Sequence, residues 1–90
     1  MANVPKGSEP EPGVFARAVS VEVRHLLTDR RTSGAQLAVM IGRSQSYMSK
    51  RLRGESSFTA NDIEAICRVL NKDLLELLSS AVGRTRPRRL

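Results

Sequence analysis

Five polar side chains near the middle of the chain have the spacing of a reading surface. Gln45, Ser46, Ser49, Lys50 and Arg53 fall at i, i+1, i+4, i+5 and i+8, which places them on one face of a helix, with Met48 and Leu52 on the other. The chemistry on offer is hydrogen bonding to base edges. The Gln45 amide can pair with adenine N6 and N7, Lys50 can reach guanine O6 and N7, and Ser46 and Ser49 can meet smaller edges or thymine methyls. From Arg30 to Gly54 there are six Lys or Arg residues and no Asp or Glu, so this segment presents positive potential to a polyanion. Catalysis finds no comparable support. The chain shows no paired carboxylates, no nucleophile with a nearby base and no glycine-rich phosphate loop, and it is not expected to be an enzyme.

The elements that must position these groups are legible from their boundaries. Ser33 followed three residues later by Gln36 is a capping-box pattern that starts a short helix at Gly34. Gly42 suits the left-handed residue that ends it, and Ser44 can cap the next helix, spanning 44–53. Only Gly42 and Arg43 are left for the turn, so the two helices must cross steeply. The first of them, with Ser33 and Gln36, would aim N–H groups at a phosphate. Arg43, Ser44, Tyr47, Arg53 and Asn61 complete the candidate backbone contacts, which set register rather than sequence.

These residues resemble a known family. The spacing of Leu37, Ala38, Gly42 and Met48 is similar to the helix-turn-helix of the lambda-repressor/Cro-like (Xre) transcription regulators. Gln45 and Ser46 fall where those repressors carry base-contacting residues. The resemblance extends through Gly54 to about Leu78, and RLRGE followed by SSFTANDIEAICRVLN looks most like small repressors of actinobacteria and their phages. It implies a compact five-helix DNA-binding domain, a double-stranded DNA operator as partner, and repression in phage immunity, lysis–lysogeny control or autoregulation. Two positions depart from the family pattern. Arg43 and Arg51 stand where apolar residues are usual, so Arg51 is expected either at the rim beside a carboxylate such as Asp62 or Glu64, or on a slightly rotated helix.

The rest of the chain reads as an all-α domain. Residues 1–13 hold three of the four prolines, two glycines and no apolar period, and are expected to form a mobile arm. Residues 14–82 form the domain, with its motif at 33–54. A first helix starts near Val14 and carries Phe15, Val19, Val23, Leu26 and Leu27 at helical spacing. Thr59 with Asp62 caps a fourth helix whose stripe is Ile63, Ile66, Cys67 and Leu70. Asp73 with Glu76 repeats that signature for a fifth helix, which carries Leu74, Leu75, Leu77 and Leu78. Four leucines exceed what one core face needs, so core packing and partner contact are both open for them. His25 is read as a surface or rim residue without a partner. The segment 83–90 is a basic tail whose Arg84, Arg86, Arg88 and Arg89 are either solvated charge or a minor-groove or phosphate arm.

Composition narrows the partners. A net charge of +6 over 90 residues and a pI near 10.7 favour nucleic acid. With three aromatic residues there is no stacking platform for unpaired bases, which favours duplex DNA over RNA. A single cysteine excludes an internal disulfide, and one His without CxxC or HxxxH spacing gives no metal site and no cofactor. The longest apolar run, Leu37 to Ile41, is too short for a bilayer, and a bacterial cytoplasmic protein is expected. A homodimer through the fifth helix, a dimer formed only on DNA and a monomer all remain open. So does an antitoxin-like interaction module that also binds DNA.

Overall fold

Five α-helices account for most of residues 9–86, which a computed structural model describes. They are α1 (Val14–Asp29), α2 (Gly34–Ile41), α3 (Gln45–Leu52), α4 (Ala60–Val69) and α5 (Leu74–Thr85), and no strand occurs among the described residues. The all-α, five-helix expectation is met.

Each of α2 to α5 begins on a side-chain cap. Ser33 accepts from the Gln36 amide at 3.0 Å while Gln36 Oε1 accepts from the Ser33 amide at 2.8 Å, closing the capping box of α2. Thr59 and Asp62 do the same for α4, and Ser44 and Asp73 cap α3 and α5. Four junctions end alike, on a left-handed residue: Arg31 (φ 51), Gly42 (φ 71), Gly54 (φ 77) and Asn71 (φ 53). At each, the next amide reaches back five residues, Thr32 to Leu27, Arg43 to Ala38, Glu55 to Lys50 and Lys72 to Cys67, at 2.8 to 3.0 Å. Arg31 adopts this geometry without glycine's freedom, which is why it carried no turn signal in the sequence.

The core is built where the helical stripes converge. Val23, Leu37, Met48, Ile66, Leu77 and Ala81 are at most 1% exposed, and α1 lies against α5 and α3 while α2 lies against α3 and α4. Cys67 is a buried core residue. One apolar expectation needs correction, and the open reading of the α5 leucines divides between the two alternatives. Phe15 is exposed, because the buried stripe of α1 starts a turn later at Ala18 and Val19. On α5, Leu77 is buried and Leu78 packs partly on the core, but Leu74 and Leu75 face outward.

The ends differ from their sequence reading as well. Glu9 to Gly13 do not hang free: Pro12 is buried, its carbonyl accepts from Arg17, and Glu9 pairs with Arg51 at 3.0 Å. Residues 1–8 of the expected arm lie outside the described residues. α5 runs through Gly83 to Thr85, so Arg84 is a helical residue and not part of a tail. Its guanidinium pairs with Glu22 and meets His25 Nδ1 at 3.0 Å, which gives His25 the partner its sequence context did not show. Arg88 and Arg89 lie outside the described residues.

Candidate nucleic-acid interface

α3 is held by contacts on three sides, and these decide which of its side chains remain available. From α1, the buried Ser20 hydroxyl donates to the Arg51 carbonyl at 2.7 Å, and the Arg24 guanidinium reaches the Leu52 carbonyl. From α2, Gly34 makes room for Leu52: a Cβ there would stand 2.8 Å from Leu52 Cδ1. From α4 comes Asp62, a buried carboxylate on which several donors meet. Arg43 Nε donates to Oδ1 at 2.9 Å, the Tyr47 hydroxyl to Oδ2 at 2.6 Å and the Thr59 amide to Oδ2 at 3.1 Å.

The Tyr47 ring is also shared between two cations. The Arg43 guanidinium carbon lies 4.4 Å from the ring centroid and that of Arg51 lies 3.5 Å away. Arg51 is therefore neither at an open rim nor beside Asp62 or Glu64. It is buried, bonds the Tyr47 carbonyl at 3.3 Å and pairs with Glu9, while its Nε has no acceptor among the described residues. Stacking on an aromatic face lets a weakly hydrated guanidinium occupy a position that an apolar residue would otherwise fill.

Ionisation in this cluster follows its contacts. Burial pulls the Asp62 carboxyl up, but hydrogen bonds from Tyr47, Thr59 and Arg43 outweigh it and hold the group below its ordinary value. Burial and the Asp62 bond push the Tyr47 phenol up. Ser56, with the Arg51 and Lys50 charges, holds Glu9 below the usual carboxylate value.

The outward face of α3 is different. Gln45, Ser46 and Lys50 are exposed and their side chains make no hydrogen bond or ion pair among the described residues. Ser49 is half-buried beside them and accepts from Arg53, which also pairs with Glu55 at 2.6 Å. Ser33 and Gln36 sit at the α2 N-terminus with their side-chain oxygens engaged in the capping box, and Ser44 is similarly engaged at α3. Asn61 is exposed in the first turn of α4. Arg43 and Tyr47, read from the sequence as backbone contacts, both bond Asp62, with Arg43 still exposed and Tyr47 half-buried. Arg84 is committed to α1, and Arg86 is an exposed C-cap.

The sequence reading gives Asp62 to the α4 cap and offers it to Arg51, and so misses its bonds to Arg43 and Tyr47. The signal available was that such a carboxylate keeps acceptor capacity to spare beside a chain segment rich in arginine. Nothing local announced Glu9, whose partner lies 42 residues away. Among the described residues no group of His, Cys, Asp or Glu could hold a metal ion, and no helix is long and apolar enough to cross a membrane.

The comparisons with known proteins agree with this geometry. Two solved structures of the clp gene regulator ClgR from Corynebacterium glutamicum are similar in fold. One superposes with a TM-score of 0.77 at 19% identity over 86% of this chain and 100% of that one. The other gives 0.71 at 24% identity over 82% of this chain and 78% of that one. No curated protein matches in sequence. The model of the Cro/C1-type HTH DNA-binding domain matches residues 22–80, from the middle of α1 into α5, and so takes in both helices of the motif and the α4 contact that steadies them. The chain thus belongs to the Cro/C1-type HTH DNA-binding domain family, a non-catalytic fold that binds DNA in a sequence-specific manner.

Proposed function

We propose that the protein is a transcriptional repressor that inserts α3 N-terminus first into the major groove and excludes polymerase by occupying a promoter. The observation that carries this reading is the contrast between the two faces of α3. Arg43, Tyr47 and Arg51 are bound into the protein, whereas Gln45, Ser46 and Lys50 are exposed and without partners among the described residues. Gln45 pairs with adenine, Ser46 and Ser49 meet smaller edges, and Lys50 reads guanine. Ser33, Gln36, Ser44, Arg53 and Asn61 approach phosphates on either side, Arg53 by exchanging Glu55 for a phosphate oxygen. Such a protein works beside the chromosome or an invading genome, in the bacterial cytoplasm. Its RLRGE segment supports a place among phage-immunity or autoregulatory repressors.

Selection from a random duplex library at near-physiological salt tests this. An enriched palindrome with half-sites about one helical turn apart identifies a dimer. An asymmetric motif identifies a monomer, with Arg86, Arg88 and Arg89 as the next contacts to examine. Retention without enrichment overturns sequence reading. A second reading, an antitoxin-like module that also binds DNA, is favoured by Leu75 and Val39, which are 72% and 82% exposed on α5 and α2. It predicts that a partner protein co-purifies and covers one of these faces.

A further inference from the structure

Arg51 is a cation on the buried side of α3, and its one ion pair among the described residues comes from outside the matched span 22–80: it is with Glu9, at 3.0 Å. We infer that Glu9 is a positioning residue for DNA recognition, holding Arg51 against the Tyr47 ring and thereby fixing the first turn of α3, which carries Gln45 and Ser46. The inference rests on the base-reading role given to α3 above. It extends the reading unit of the protein to a segment that lies ahead of α1.

A buried guanidinium needs a counter-ion, because removing one partner of such a pair leaves an uncompensated charge. Little else keeps Arg51 in place. Its Nε has no acceptor among the described residues, and its bond to the Tyr47 carbonyl is long, at 3.3 Å. Without Glu9 the side chain gains more from water than from the ring, and it leaves the face of Tyr47 from which its guanidinium carbon stands 3.5 Å. Glu9 itself is delivered independently of that pair. Pro12 is buried and its carbonyl accepts from Arg17, so the segment stays seated when the carboxylate is removed. The Tyr47 hydroxyl also keeps its bond to Asp62, so the first turn of α3 is loosened rather than unfolded, and the loss falls on base reading more than on the fold.

The test measures the affinity of the intact 90-residue protein, at one salt concentration, for a duplex recovered from random selection and for an unselected duplex. Near-UV circular dichroism follows Tyr47, the one tyrosine in a chain without tryptophan. Glu9→Ala should lower the ratio of selected to unselected affinity about three- to tenfold, within what residues in direct contact transmit. It should also reduce the Tyr47 signal while the far-UV helical signal holds. Glu11→Ala, which takes the same charge from an exposed residue of the same segment, should leave ratio and signal as in the wild type. In an Arg51→Met background, where an apolar side chain replaces the guanidinium, Glu9→Ala should have no further effect on the ratio. Equal losses on both duplexes, an unchanged ratio or Tyr47 signal in Glu9→Ala, a matching loss in Glu11→Ala, or the same loss in the Arg51→Met background overturns the positioning role and leaves the DNA reading standing. If no duplex is enriched, both are overturned. Glu9 is exposed, so the comparison of Glu9→Ala with Glu11→Ala decides the matter even if Arg51→Met fails to fold.

Discussion

The Tyr47 hydroxyl donates to the Asp62 carboxylate at 2.6 Å, joining α3 to the first turn of α4. Arg43 uses the other oxygen of the same carboxylate, so one side chain fixes the turn, the helix that follows it and the cap of the next helix. Asp62→Asn keeps the size and part of the cap but removes the charge. It should destabilise the fold by about 1 to 3 kcal/mol in chemical denaturation, and Tyr47→Phe, which keeps the ring between its two arginines, by about 1 kcal/mol.

Acid should unfold the wild type through the same group. The folded-state pKa of Asp62 lies below its ordinary value of 3.8, so its contribution is complete above that value and is lost as pH falls through the lower folded value. Tyr47 has the opposite sign: raised above 10.0 in the fold, it stabilises below pH 10 and ceases to do so as pH rises through its folded value. Thermal melts from about pH 2 to 11 should show both limbs. The acid limb should flatten in Asp62→Asn and the alkaline limb in Tyr47→Phe. Identical limbs in the variants would remove Asp62 and Tyr47 as the controlling groups.

Arg43 and Arg53 should separate in salt dependence. Arg53→Ala should lower the slope of log affinity against log salt by about 0.9, the value of one neutralised phosphate. Arg43→Gln should lower stability and leave that slope as it is, because its charge is already matched by Asp62. A reduced slope for Arg43→Gln would return it to the backbone contacts.

Arg53 must give up Glu55 before it can serve a phosphate, and that carboxylate also repels DNA. Glu55→Gln should therefore tighten binding to all duplexes by a factor of about 2 to 5, the size of an exposed ion pair. Arg53→Ala should weaken all duplexes alike. Gln45→Ala should behave differently, with a loss of about 1 to 3 kcal/mol on the preferred site and relaxed preference at one base position. Equal losses on specific and random duplexes for both variants would contradict the division of roles.

What could be read in advance was whatever is written within a few residues. The Ser33–Gln36 and Thr59–Asp62 boxes, Gly42 and the 3.6-residue stripes placed α2, α3 and α4 because caps and turns depend on neighbours. What could not be read depends on distant partners. That Arg43 and Tyr47 meet on Asp62 depends on α4 coming against the turn, Arg51 is buried where Glu9 and the Tyr47 ring receive it, and Arg84 is held by Glu22 and His25 of α1. Phe15 kept the right phase for a core position but sits a turn before the core begins.

The repeated closure at Arg31, Gly42, Gly54 and Asn71, with an amide reaching back five residues each time, fixes the exit of four helices, and the Ser20–Arg51 and Tyr47–Asp62 bonds pin α3 from two sides. α3 is thereby poorly placed to turn so as to improve its fit to a duplex. The adjustment falls to the nucleic acid, so affinity should vary with the stiffness of base steps that no side chain touches, and an operator spaced by pliant pyrimidine–purine steps should outcompete one with the same contacted bases and a rigid centre.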